Sequence, residues 1–210
     1  MKNTISTLFS LVFIASFMHS TAWAEVSANV AIQSDYVWRG ISQNAEDPAI
    51  QGGFDYSHST GIYAGIWGSS VDFSATESTE FDIYAGWNTE LENGLGIDVG
   101  YLEYTYHGQS GANDSDFSEF YGGLSYNGFG IKYSIGDEFD DLLEVSYSHN
   151  FEAGVSFSAT YADYDAYTYY TLGVSKEIQG LGFDLSYWDT DINNDELADG
   201  RLVLTVSKEF

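Results

Sequence analysis

Arg39 and Arg201 are the two arginines of a 210-residue chain that carries 32 acidic residues against six lysines and arginines in total. A guanidinium in such surroundings can neutralise carboxylates, hold an anionic part of a solute, or set the charge preference of a passage. Arg39 lies in the stretch Ser34-Asp35-Tyr36-Val37-Trp38-Arg39-Gly40-Ile41-Ser42-Gln43. With a period of two, Tyr36 and Trp38 fall on one face and Asp35, Val37 and Arg39 on the other. An aromatic face opposite a charged one suits a wall between oil and water, with Tyr36 and Trp38 toward lipid and Asp35 and Arg39 toward an aqueous interior. Arg201 opens the last alternating stretch, opposite in phase to Leu202. If the first and last strands pair, the two arginines become neighbours at the seam. Buried charges are normally paired, so a salt-bridge network with Asp35 and nearby acids is favoured there over a solute-binding spot.

Other chemistry-bearing groups follow the same alternation. Asp55, Asp82, Glu90, Asp98, Lys132, Glu144 and Asp184 fall on the polar phase of alternating segments. Around a water-filled lumen such an excess of carboxylates favours cations, as acidic rings do in channels. Tyr84 and Tyr169 share that phase and would narrow the passage. Asp189, Asp191, Asn193 and Asp195 begin like a calcium loop, in which alternate oxygens converge on one hard cation. Asn194 stands where glycine is expected, however, and Gly200 where the bidentate acid belongs. A plain solvated acidic loop is therefore favoured over a specific site, with loosely held calcium or magnesium as the alternative, and no other cofactor is implied. Hydrolysis needs a nucleophile or activated water beside a general base. His58, His107 and His149 lie in three different hairpins, and Ser148 and His149 point to opposite faces of one strand, so no enzyme is expected.

Residues 1–24 read as a secretory signal, with Lys2, the apolar run Leu8 to Met18, and Ala22-Trp23-Ala24 as a cleavage pattern. The run is shorter than the roughly 20 residues that a bilayer-spanning helix needs. Its removal leaves residues 25–210, one domain's length, in which five bases face 32 acids for a net charge of −27. That acidity excludes nucleic acid as a partner, and 17% aromatic residues exclude the composition of a disordered chain. With no cysteine, the exported fold must hold itself without disulfides.

Alternation dominates the remainder, which contains a single proline, Pro48. Twelve strands are predicted. The first spans about 28–42, followed by Ile50 to His58. The third, Ile62 to Phe73, has an ambiguous phase because Ile62, Ala64 and Ile66 compete with Tyr63, Trp67 and Val71. Phe81 to Leu91 is clear, and Glu92-Asn93-Gly94 turns it into Leu95 to Tyr101, although Glu103 to His107 breaks the phase. Asn127-Gly128 is a hairpin signal between Phe120 to Tyr126 and Phe129 to Ile135. Glu152-Ala153-Gly154 joins Leu143 to Phe151 with Val155 to Tyr161, and Gln179-Gly180 joins Tyr170 to Val174 with Leu181 to Tyr187. Leu202 to Phe210 is the last strand. Tight turns alternate along the chain with six acidic connections, which carry Glu46, Asp72, Glu80, Asp114, Asp140, Asp163 and Asp195 among others and no lysine or arginine.

Short turns at one end and longer loops at the other is the layout of an outer-membrane barrel. Backbone N–H and C=O groups find no partner in lipid, so strands span it only as a closed cylinder, and the first strand must pair with the twelfth. A secreted soluble sandwich would leave the loop asymmetry unexplained. Twelve strands enclose a lumen between the filled eight-stranded barrels and the open channels of about 16 strands, so any pore is narrow.

The segment Ser34 to Gln43 resembles the signature of the TorF-type porins, a proteobacterial family. The organisation around it, with a signal, this early segment, alternating strands and a terminal Phe210, resembles that family over essentially the whole mature chain. The resemblance implies the outer membrane of a Gram-negative bacterium and a pore, without catalytic residues. Phe210 on an alternating last strand also resembles the C-terminal assembly signal of such barrels, which implies periplasmic chaperones, the barrel assembly machinery, membrane lipid and lipopolysaccharide as partners. The expectation is therefore an all-β transmembrane antiparallel barrel of about twelve strands, with short periplasmic turns and longer acidic extracellular loops. Its function would be narrow, passive, cation-leaning diffusion of small solutes. The alternative is a closed structural or binding barrel whose acidic loops meet divalent cations, lipopolysaccharide or other surfaces.

Overall fold

The structure, a computed structural model, describes residues 24–73, 77–108, 116–138 and 141–210. The expected signal, apart from Ala24, and the loop acids Asp114 and Asp140 lie outside the described residues. The chain begins with β1 (Ala24–Gln33), leaves the wall for the short strands β2 (Val37–Trp38) and β3 (Ile41–Ser42), and returns as β4 (Ala49–His58) and β5 (Ile62–Ser70). The wall continues through β6 (Glu77–Glu90), β7 (Gly96–Gly108), β8 (Phe117–Tyr126), β9 (Phe129–Gly136) and β10 (Leu142–Asn150). It is completed by β11 (Val155–Asp163), β12 (Thr168–Ile178), β13 (Leu181–Thr190) and β14 (Arg201–Glu209).

Twelve antiparallel strands close this barrel, and β1 pairs with β14 from Asn29 opposite Glu209 to Gln33 opposite Thr205. Phe210 extends the seam by exchanging backbone hydrogen bonds with Ala28. Closure leaves the sheet without an edge. The alternation sorts side chains as the period of two requires: Ile32, Ile50, Phe54, Ile66, Ile83, Leu124, Ile131, Leu172 and Leu204 point outward and are exposed. Exposed aromatics stand near both ends of the wall, Tyr56, Tyr126 and Phe151 toward the short turns and Tyr133, Tyr161 and Tyr170 toward the longer loops.

The third strand's phase resolves with Ile62 and Ile66 outward and Tyr63 inward. Its neighbours supply the reason. Tyr63 stands opposite Gly86, Tyr84 opposite Gly65, and Tyr121 opposite Gly100. A Cβ on any of these glycines would collide with the facing ring, so each bare backbone is a notch that one tyrosine covers. Between Glu103 and His107 the phase also holds, with Tyr104 and Tyr106 buried inside. The opposite wall is built from small hydroxyl residues: Ser146 pairs with Thr160 and Thr160 with Thr171, while Ser148 pairs with Ser158 and Ser158 with Gly173.

β1 ends at Gln33 rather than near residue 42, and Ser34 accounts for this. Its N–H donates to the Leu204 carbonyl at 2.9 Å, and its hydroxyl accepts the Leu204 N–H at 2.9 Å. A side chain thus takes the place of the next backbone partner, and the chain is free to turn into the barrel. There Val37 pairs with Ser42 and Trp38 with Ile41 as a miniature hairpin. Arg39 and Gly40 form its tip with φ of 50° and 87°, the two positive values that a type I′ turn requires. The Gln43 N–H closes the base on the Tyr36 carbonyl at 2.7 Å. The Asn44 amide donates to the carbonyls of Asp47 and Pro48 and turns the chain back to the wall.

Candidate functional site

The inward hairpin overturns the expected orientation of the opening segment. Tyr36, 2% exposed, and Trp38 face the interior and not lipid. Having left the wall at Ser34, neither has a lipid side to face. Tyr36 packs edge-on against Trp67 with ring centroids 5.5 Å apart, and Trp38 meets Tyr104 and Phe117 at 5.9 Å each. The Tyr36 hydroxyl donates to Glu80 at 3.1 Å. Burial first, and then the Glu80 and Asp82 carboxylates, push the Tyr36 pKa up, which keeps the hydroxyl a donor.

Arg39 is carried by the hairpin tip across the lumen to β8, on the far side of the ring from β1. Its Nη2 lies 2.7 Å from both Glu119 oxygens, and the two side chains are 6% and 4% exposed. The guanidinium also stands over the rings of Trp38 at 4.2 Å and Tyr164 at 4.8 Å, and such contacts are worth about 2 kcal/mol when desolvated. Burial works against the charge, and the Glu119 carboxylate offsets it. Tyr167 donates to the Arg39 carbonyl at 3.0 Å. The tip is therefore held through its charge, its π contacts and its backbone.

Arg201 forms the seam network expected around Asp35, without Arg39. Its Nη1 reaches Asp35 at 2.9 Å and Glu46 at 3.1 Å, and Asp35 also accepts the Ser42 hydroxyl at 2.7 Å. The two arginines thus serve different partners, because the hairpin carries Arg39 away from the wall strand that pairs with β14.

The remaining charges occupy the interior in the phase read from the sequence. Lys132 pairs with Glu144 at 2.5 Å, and Tyr169 donates to Glu144 at 2.8 Å. Asp98 accepts the Tyr63 hydroxyl at 2.7 Å, which shares a 2.5 Å contact with the Tyr121 hydroxyl. Asp55 accepts the Tyr84 hydroxyl. Asp82 and Asp184 are buried inside, whereas Glu90 stands exposed at the short-turn end of β6. Two interior acids escaped the sequence reading. Glu80, assigned to a loop, is inward on β6, and Glu119 is inward on β8. Each could have been found by carrying the phase of Asp82 or Tyr121 back by two residues.

The interior is not uniformly filled. A vestibule of about 250 Å³ reaches the short-turn end, bordered by Glu90, Asp98, Tyr121, Lys132, Glu144 and Ser146. A cavity of about 50 Å³ adjoins it beneath Arg39 and Glu119, and the two share Tyr121, Lys132, Glu144 and Thr160 in their walls. Beyond that cavity, toward the long loops, the hairpin and its aromatic neighbours occupy the lumen.

The candidate calcium ligands are not brought together. Asp189 accepts from the hydroxyls of Tyr170 and Tyr187 at 3.0 Å each, and Asp191 from the Thr168 N–H at 2.8 Å. Asp195 caps the 3-10 helix Glu196–Ala198 through the Leu197 N–H, and the Asn193 amide donates to the Asp191 carbonyl. Their polar groups serve local partners. Among the described residues no group of three or more acids, histidines or cysteines is arranged to hold a metal ion. His58 contacts Thr60, His107 contacts Thr105, and His149 lies edge-on to Phe151.

Among solved structures, the KdgM porin aligns with a TM-score of 0.61, and its complex with disordered oligogalacturonate with 0.59. Each is 8% identical, over 89% of this chain and 99% of the porin, a likeness that shows the shared barrel fold. No curated protein matches the sequence. A bacterial family of unknown function does match, across residues 18–209, from before β1 to the last residue of β14. The chain belongs to that family, Gcw_chp.

Proposed function

We propose that the protein is an outer-membrane channel for small neutral or cationic solutes, with the hairpin at Arg39 as its constriction. The observation that carries this reading is the vestibule of about 250 Å³, which enters from the short-turn end and adjoins the cavity of about 50 Å³ at the Arg39–Glu119 pair. The exposed apolar belt with aromatics near both ends supports a barrel seated in lipid, with the short turns toward the periplasm. The resemblance of Ser34 to Gln43 to the TorF-type porins points the same way. Even without the dry pair Glu80 and Asp82, inward carboxylates at Asp35, Asp55, Asp98, Glu119, Glu144 and Asp184 outnumber Arg39, Lys132 and Arg201, which draws cations in and repels polyanions. The KdgM porin has been seen with oligogalacturonate, and the acidic lumen here argues for a different solute class.

A second reading, a barrel that stays closed and works through its acidic loops toward divalent cations or lipopolysaccharide, draws support from the stacked aromatics and the buried ion pair at the hairpin. Planar-bilayer recordings under a KCl gradient separate the two. The channel reading expects conductance with a cation-side reversal potential, enlarged when residues 36–43 are replaced by a Gly-Ser linker. Silence from both the folded wild type and this variant would sink the channel, and an anion-side reversal would sink the charge preference. Conductance from the variant alone would make the seated hairpin a closed resting state.

A further inference from the structure

Two carboxylates beneath Tyr36 have no neutralising partner. Glu80 and Asp82 stand two residues apart on the inward face of β6 and are 1% and 3% exposed. Glu80 Oε1 accepts the Tyr36 hydroxyl, but Glu80 Oε2 and Asp82 Oδ1 are buried with no hydrogen-bond partner. A third buried, unpartnered atom, Gln51 Nε2, lies in the same cross-strand row, since Gln51 stands opposite Ser69 and Ser69 opposite Glu80. The titratable groups that act on the pair or feel its charge are Tyr36 from the inward segment, Tyr104 and Tyr106 from β7, Glu119 from β8, and Tyr84 on β6 itself. β4 and β5 contribute the neutral Gln51, Ser69 and Trp67. The cations of the lumen are committed elsewhere: Arg39 to Glu119, Lys132 to Glu144, and Arg201 to Asp35.

A buried carboxylate keeps its charge only when something pairs with it. We propose that Glu80 and Asp82 form a binding site for one monovalent cation, a proton or a dehydrated alkali ion, and that the bound charge keeps the Tyr36–Gln43 hairpin seated. The site stands independently of the channel reading; only its consequence for conduction rests on that reading. Emptied, the site leaves two ionised carboxylates repelling each other in a dry pocket, and moving the hairpin out admits the water that relieves them.

Infrared spectroscopy of the folded barrel in detergent distinguishes the two ligand sources. With a proton bound, the wild type at neutral pH shows the carbonyl stretch of a protonated carboxyl, and Glu80→Gln or Asp82→Asn removes it. With an alkali ion bound, that band is absent, but the Tm is higher in KCl or NaCl than in choline chloride of equal ionic strength, and the double variant E80Q/D82N loses the difference. If neither signature occurs, or if either survives unchanged in the double variant, the site is wrong. Heat-modifiable gel mobility verifies that each variant has folded. Tyr36→Phe, which keeps both carboxylates, retains the ligand signature while hydrogen exchange over residues 34–48 becomes faster; unchanged exchange would overturn the coupling to the hairpin. A ligand signature in a barrel that never conducts would end the channel reading and leave the site in place.

Discussion

Glu119→Gln is the perturbation that most directly tests how the hairpin is held. The wild-type pair is nearly fully desolvated, at 6% and 4% exposure, with both carboxylate oxygens 2.7 Å from Arg39 Nη2. Removing one charge of a buried pair strands the other, at a cost of about 3–5 kcal/mol. The lower figure applies here, because Trp38 and Tyr164 remain against the guanidinium. At 1.4 kcal/mol per tenfold, about 3 kcal/mol raises the population of displaced hairpin by roughly 100-fold. Hydrogen exchange reads this directly, because the Gln43 N–H is protected only while it bonds to the Tyr36 carbonyl at the hairpin base. Glu119→Gln should speed its exchange by about that factor while amides in β10 and β11 stay unchanged. The double variant R39M/E119Q, which removes both charges and keeps the bulk, should return exchange toward the wild-type rate. Unchanged exchange in the single variant, or faster exchange in the double, would refute the latch.

Three further outcomes are expected. Gly100→Ala should displace Tyr121 and break its hydroxyl contact with Tyr63, costing about 1–3 kcal/mol as overpacking does. Gly122→Ala, whose nearest foreign atom would be 3.9 Å away, should be tolerated, and equal urea midpoints for the two would remove the notch argument. The backbone N–H of Ser118 at 2.7 Å, then its hydroxyl at 3.0 Å, hold the Asp137 carboxyl below the usual carboxylate range. A depressed folded pKa contributes stability above the unfolded value of about 3.9, lost as pH falls through the folded one. The Ser118 amide resonance should accordingly shift with an acid midpoint below that of a free aspartate, and a midpoint at or above it would count against the tie. Removing Phe210, which joins the seam to Ala28, should lower the amount of heat-modifiable barrel recovered from the outer membrane; an undiminished yield would refute the expectation that it is an assembly signal.

The wall was legible because membrane-type strands repeat every second residue, and the apolar half of Phe81 to Leu91 or Phe129 to Ile135 has one place to go. The third strand was ambiguous from its own residues, since isoleucine and tyrosine are both apolar enough for lipid. The deciding information lay on the next strand, in Gly86, which accepts the Tyr63 ring. The inward hairpin was missed for a related reason: Tyr36 and Trp38 alternate with charge whether they face lipid or fill a lumen. The signal that separates the cases is local. Arg39-Gly40 sits midway between Trp38 and Ile41 as a two-residue turn, and Ser34 offers a hydroxyl where a wall strand would continue. The calcium-like spacing of Asp189 to Asp195 described oxygens in order along the chain but not the tyrosine hydroxyls and backbone N–H groups that claim them first.

The division of the interior, with notched tyrosines on β5 to β8 and short hydroxyl side chains on β10 to β12, makes the open space eccentric. The described residues that border the vestibule run from Glu90 on β6 to Thr160 on β11, so the open volume lies along a flank of the cylinder rather than on its axis. That flank carries Ser146, Ser148, Ser158, Thr160 and Thr171, each able to donate or accept a hydrogen bond by rotating one hydroxyl. A surface of that kind can exchange hydrogen bonds with water or a small polar molecule in many orientations, while the braced tyrosines bound the space opposite.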